Sequence, residues 1–233
     1  MSHFIYAFRE RTVGLANLFE GVTNKRIAES ADAIYPRAVH LTMRILVIDN
    51  GGQWTHREWR VLRDLDVEVE IVPNNTPLEK IKTDGLVLSG GAPRVGVDAQ
   101  KMGFCGEYVD KAGVPVLGIC AGHQFMASHL GGKAGPSKVP EFGKTMVTVD
   151  DEDEIFKDLP TEFVAWESHN DEVTQLPTDF ISLAHSDNCA IQAMKHKTRP
   201  LYGLQFHPEV ENTDNGYEMF QAFIEICRAH KKE

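Results

Sequence analysis

Apolar residues in this chain gather in short β-rich runs separated by stretches of helical spacing. The run Ile45-Leu-Val-Ile48 lies inside a strand predicted over residues 44–49, and further strands are predicted over 67–72, 85–88 and 114–119. Between and after them the spacing turns helical: a helix over 55–65 with Trp59 and Leu62 facing inward, another over 122–130, and an amphipathic helix over 216–229 that closes the chain. From Thr145 to Ile191 β-like segments recur, among them 145–149 and 163–166, and a strand-like segment follows over 201–206. Strands that alternate with helices predict an α/β fold, a mostly parallel central sheet with helices on both faces. Such sheets gather their ligands at the carboxyl ends of the strands.

Chemistry is concentrated where one of these strands meets a helix. In Val116-Leu-Gly-Ile-Cys-Ala-Gly-His-Gln124, Cys120 is flanked by Gly118 and Gly122 at the spacing of a nucleophile elbow. The turn is so tight that the residues two before and two after the nucleophile must lack bulk, and it sets the sulfur at a helix N-terminus. A cysteine in an apolar stretch is by itself more often a buried small hydrophobe; the paired glycines and the second Gly-rich turn, Ser89-Gly-Gly-Ala-Pro93, favour catalysis here. Downstream, Phe206-His-Pro-Glu209 supplies an imidazole with a carboxylate two positions on, so a base and its orienter are available. Cys120, Gly91 and His207 each follow a predicted strand and can therefore converge.

On these residues the chain resembles the class I, or triad, glutamine amidotransferases, over about residues 43 to 230. Longer strings resemble the separate amidotransferase subunit of archaeal-type two-subunit GMP synthases: Ile48-Asp-Asn-Gly-Gly-Gln53, Val72-Pro-Asn-Asn-Thr-Pro77, Trp166-Glu-Ser-His-Asn-Asp-Glu-Val173, Ala193-Met-Lys-His-Lys197 and Phe206-His-Pro-Glu-Val210. Ala92 departs from the usual S-G-G-P pattern, and Asn212 stands where His is common. The resemblance implies a flavodoxin-like fold and a triad of Cys120, His207 and Glu209. It implies an oxyanion hole from the backbone N–H groups of Gly91 and Ala121, and it places Gln124, Ser168 and His169 at or beside the glutamine pocket. For Ser168 and His169 a purely helix-capping or loop-stabilising role stays open. It implies no cofactor in this chain; ATP and Mg²⁺ would be used by a separate ATP-pyrophosphatase subunit that turns XMP into GMP with the ammonia released here. No G-x-x-x-x-G-K-[ST] loop or S-G-G-x-D-S string is present for nucleotide binding. A non-enzymatic module, a cysteine hydrolase acting on another amide, and the glutaminase subunit of anthranilate synthase remain as alternatives.

Composition narrows the partners. The formal charge is −10, which disfavours a nucleic-acid or anionic-membrane surface. Apolar runs are far short of a bilayer span and no signal-peptide pattern follows Met1, so a cytoplasmic location is expected. The four cysteines are widely spread with no zinc-ligand spacing, which predicts a reduced compartment and no metal. His123 and His129 are read as structural. Residues 1–42 stand apart as an N-terminal extension with five basic and four acidic residues, against −11 for the remaining 191. The amidotransferase domain is expected over 43–233, with Met43 as a possible natural start; a docking helix within residues 4–22 is the alternative.

Overall fold

The computed structural model describes residues 43–232; the expectations for residues 1–42 lie outside the described residues. The described chain builds one nine-stranded sheet in the order β2-β1-β3-β4-β9-β8-β7-β5-β6. Its parallel half comprises β1 (Arg44–Asn50), β2 (Glu68–Pro73), β3 (Gly85–Gly91), β4 (Val116–Ile119) and β9 (Leu201–Leu204). Four antiparallel strands extend it: β5 (Lys133–Val149), β6 (Glu162–Gln175), β7 (Phe180–His185) and β8 (Ala193–His196). Five described helices accompany them: α1 (Thr55–Asp64), α2 (Val95–Asp98), α3 (Cys105–Lys111), α4 (Ala121–His129) and α5 (Gly216–His230).

The parallel strands are apolar on both faces because each face is covered. Ile45, Val47, Val87, Leu117 and Ile119 share one core with Val61 and Leu62 of α1 and Phe220 and Phe223 of α5. Leu46, Ile48, Leu86, Leu88 and Val116 point the other way, into a second core with Tyr108 and Val109 of α3 and Phe125 and Met126 of α4. This is the period-2 alternation of a strand, with both phases buried. The α/β architecture read from the sequence is thus found. The long β5–β6 ribbon, of which only 145–149 and 163–166 were legible, is the part that grew: it pairs from Lys133↔Gln175 to Thr148↔Glu162 with two register shifts.

Strand order positions the site. The strands β3, β4 and β9 are parallel neighbours, so the segments that leave their carboxyl ends emerge side by side.

Candidate active site

Cys120 occupies the turn between β4 and α4 with φ 48° and ψ −104°, a strained backbone for any residue with a side chain. Both glycines of the elbow are required sterically. A Cβ on Gly118 would lie 2.7 Å from the carbonyl carbon of Gly122, and one on Gly122 would lie 2.9 Å from the carbonyl carbon and Cβ of Leu88 on β3, and closer still to its oxygen. The Cys120 N–H donates to the Leu204 carbonyl of β9 at 2.8 Å, tying the elbow to the strand that carries the imidazole. Ala121 opens α4, where the helix ladder offers its N–H no acceptor.

His207 leaves β9 and is fixed on every side. Its N–H donates to the Trp166 carbonyl at 3.0 Å, its own carbonyl accepts from Thr213 Oγ1 at 2.7 Å, and Nδ1 faces Glu209 Oε1 at 2.7 Å. The ring and the Cys120 side chain both pack against Gly90, where a Cβ would lie 3.1 Å from His207 Cε1 and 3.8 Å from Cys120 Cβ, and Trp54 meets the ring edge-on at a centroid distance of 4.4 Å. Burial alone would lower the His207 pKa; the Glu209 carboxylate and the Cys120 sulfur outweigh it and hold the imidazole well above its ordinary value. All three side chains are nearly out of solvent, at 8%, 4% and 5% exposure for Cys120, His207 and Glu209.

Cys120, His207, Glu209, Gly91 and Ser168 line one cleft of about 250 Å³, with Gly51–Thr55, Glu58, Gly90 and Ala92. A larger groove of about 570 Å³ is lined by Pro208, Glu209 and Val210 but by neither Cys120 nor His207; the three side chains meet only in the smaller cleft. Gln124 and His169 stand apart from that lining. Gln124 is buried, its amide nitrogen donating to the Asp171 carbonyl at 2.6 Å and to Gln205 Oε1 at 3.1 Å. His169 is buried between the Asp171 carbonyl on Nδ1 and Glu141 Oε2 on Nε2, each at 3.1 Å. The two residues share the Asp171 carbonyl in one buried network.

Three neighbours of the triad escaped sequence reasoning. Gln205 donates from Nε2 to the Cys120 sulfur at 3.7 Å; its place in the strand predicted over 201–206 and two residues before His207 was the available signal, although β9 itself ends at Leu204. Trp54 carried no such signal. Glu58 sits on the inner stripe of α1 with Thr55, Val61 and Leu62, and Trp59, expected to face inward, is half-buried and packs against the core that holds Val61 and Leu62.

The structure also gathers Glu141, His169 and Cys189, whose donor atoms lie within 4.8 Å of one another, a cluster invisible to sequence spacing. Its ligand capacity is already engaged. Glu141 accepts from Ser186 Oγ and Gln192 Nε2, each at 2.7 Å, besides His169, and burial pushes the Cys189 thiol up, away from the thiolate a metal needs. His123 is neutral, pushed down to about 3 by burial and by His169, and His129 pairs with Asp110 at 3.0 Å.

The family described as "Glutamine amidotransferase class-I" matches over residues 46–227. The chain belongs to this family. A relative from Thermoplasma volcanium, named as a subunit of glutamine-hydrolysing GMP synthase, is 52% identical over 194 residues, covering 83% of this chain and 96% of that protein. The corresponding protein of Thermococcus kodakarensis is 47% identical over 189 residues, 78% of this chain and 98% of the relative. A crystal structure described as that of a putative GMP synthase subunit from Thermoplasma acidophilum superposes with a TM-score of 0.79 at 51% identity, covering 83% and 98% of the two chains. Among the described residues, no helix is long and apolar enough to cross a membrane.

Proposed function

We propose that this chain is the glutamine-hydrolysing subunit of a two-subunit GMP synthase. The observation that carries the reading is the meeting of Cys120 with the His207–Glu209 pair in one cleft at the carboxyl ends of adjacent parallel strands. The names borne by relatives at about half identity support the pathway. The Cys120 sulfur attacks the carboxamide carbon of glutamine while its proton passes to His207. The oxyanion is met by the N–H groups of Gly91 and Ala121, a kind of donor whose loss costs about 10²–10³ in kcat. The C–N bond breaks as His207 returns the proton to nitrogen, and ammonia leaves a glutamyl thioester. Water, deprotonated by His207, then attacks the thioester; glutamate departs and the thiol is restored. Glu209 orients the ring and favours its protonated form. Ser168 faces the substrate, and Gln124 and His169 hold the pocket wall against which it rests.

The ammonia passes to a separate ATP-pyrophosphatase subunit, which uses ATP and Mg²⁺ to convert XMP to GMP; this chain holds no cofactor. A cytoplasmic location belongs to the same reading, supported by four cysteines that are all free thiols. The test is reconstitution. With glutamine, ATP, Mg²⁺ and XMP, the chain is expected to make no GMP until the synthetase subunit is added. Cys120→Ser should then abolish glutamine-dependent synthesis while ammonia-dependent synthesis survives. GMP from the chain alone, or equal loss of both activities, would overturn the division of labour. Stimulation by an anthranilate synthase large subunit instead would move the assignment to that pathway.

A further inference from the structure

Glu58 breaks the pattern of the helix that carries it. On α1 the inner positions are Thr55, Glu58, Val61 and Leu62, and Glu58 is 1% exposed where packing alone asks for an apolar residue. Acids are almost never buried without a partner, and sites where a local rule is broken without compensation tend to be functional. One oxygen is engaged: the Gly90 N–H donates to Oε1 at 3.3 Å. The other, Oε2, is buried without a partner, as is Oε2 of Glu209, and both residues line the catalytic cleft.

Gly90 is the reason this contact matters. A Cβ there would lie 3.1 Å from Cε1 of His207 and 3.8 Å from Cβ of Cys120, so its backbone packs directly against both reacting side chains. On the opposite side Gly52 crowds it, since a Cβ on Gly52 would lie 2.8 Å from the Gly90 carbonyl carbon. The Gly90 carbonyl also accepts from Ser89 Oγ at 2.8 Å. The peptide that joins Gly90 to Gly91 carries the N–H expected to meet the oxyanion, and its plane is set by how Gly90 is held.

We propose that Glu58 is a positioning residue for glutamine hydrolysis, a neutral carboxylic acid whose one oxygen anchors the Gly90 amide and whose lack of charge leaves Glu209 as the carboxylate that governs His207. The proposal rests on the glutaminase reading above. The groups that face Glu58 agree with a neutral acid. Burial first, then the Glu209 carboxylate, push its pKa well above the ordinary range, Asp49 adds to this, and only the Gly90 N–H and His207 act the other way. A second anion beside Glu209 would strengthen the hold on the His207 proton, which the base must release to the departing nitrogen and recover from water.

Glutamine at position 58 is the isostere of the neutral acid: it keeps an oxygen for the Gly90 N–H and adds no charge. Two readouts on the purified chain with its synthetase subunit test the idea. One is steady-state glutaminase activity across pH; the other is the pH profile of Cys120 alkylation by iodoacetamide, with Cys120→Ser as the blank for the three other thiols, all fully buried. Glu58→Gln is expected to retain kcat within about twofold and to leave both profiles in place. Glu58→Leu fills the volume but loses the acceptor, and should lower kcat by about tenfold with KM within twofold, as for a hydrogen bond felt in the transition state. Its thermal midpoint should not fall, which separates positioning from a merely structural role. Wild-type kcat in Glu58→Leu would overturn the proposal. So would Glu58→Gln that falls as far as Glu58→Leu or displaces the alkylation profile, since Glu58 would then act as an anion. A wild-type chain without glutaminase activity would instead sink the functional reading, and the alkylation profile would still judge Glu58.

Discussion

Gly122→Ala adds one methyl group at the tightest point of the site, and the structure says what it meets. The new Cβ would lie 2.9 Å from both the carbonyl carbon and the Cβ of Leu88, and nearer to the carbonyl oxygen, where ordinary C···O contacts run to about 3.3–3.6 Å. Neither partner is the free end of a flexible side chain: one is the backbone of β3, fully buried, and the other is the first turn of α4. Relief therefore requires the elbow and β3 to part by roughly 1 Å, and overpacking of this kind costs about 1–3 kcal/mol. At about 2–4 °C per kcal/mol for a domain of this size, the midpoint should fall by roughly 2–12 °C. The catalytic loss should be larger in proportion, because a displacement of about 1 Å between nucleophile and base costs about 10²-fold. The assay is glutaminase kcat beside a thermal melt, with Gly135→Ala as the control, since nothing lies within 4 Å of a Cβ at that glycine. A Gly122→Ala enzyme with kcat within a few-fold of wild type would refute the claim that the elbow's geometry excludes a side chain.

Glu209→Gln should lower turnover less than His207→Ala, because the amide keeps a hydrogen bond to Nδ1 while losing the charge that favours imidazolium; an unchanged rate in Glu209→Gln would show that the carboxylate has no catalytic part. The raised His207 pKa also predicts a pH-dependent share of stability. Because the folded value lies above the unfolded value of about 6.5, that share is fully present below about pH 6.5 and is lost as the pH rises through the folded value. Urea unfolding of wild type and His207→Gln across that range measures it, and a difference that grows with pH would contradict the sign. Glu167 gives the same kind of test: burial, then the Glu141 carboxylate, raise its pKa, so Glu167→Gln should gain stability relative to wild type as the pH rises above about 4.5. A gain that is equal at all pH values would show that Glu167 does not titrate in that range.

Local chemistry made much of this protein legible from its sequence alone. The Gly118-x-Cys120-x-Gly122 spacing records a steric limit within five residues, and the structure meets that limit with the strained backbone of Cys120 and close approaches at both glycines. The alternation of apolar runs with helical spacing records burial on two faces, and it sufficed for the α/β class and for strands close to those of β1, β3 and β4. The relation between His207 and Glu209 was equally local, two residues held in register by Pro208. Distances across the chain were another matter. That β9 returns to lie beside β4, more than 80 residues earlier in the chain, is decided by the order of the sheet; it alone brings the imidazole to the sulfur and sets Gln205 against it. Sequence placed Gln124 and His169 at or beside the pocket by resemblance; that their polar atoms meet Asp171, Gln205 and Glu141 only the structure shows. Glu58 shows the limit most clearly. On a helix its spacing marks only an inward position, and whether an inward carboxylate meets a core or a catalytic cleft depends on packing that α1 shares with β3 and with the turn after β9, a property of the assembled layers that no local pattern contains.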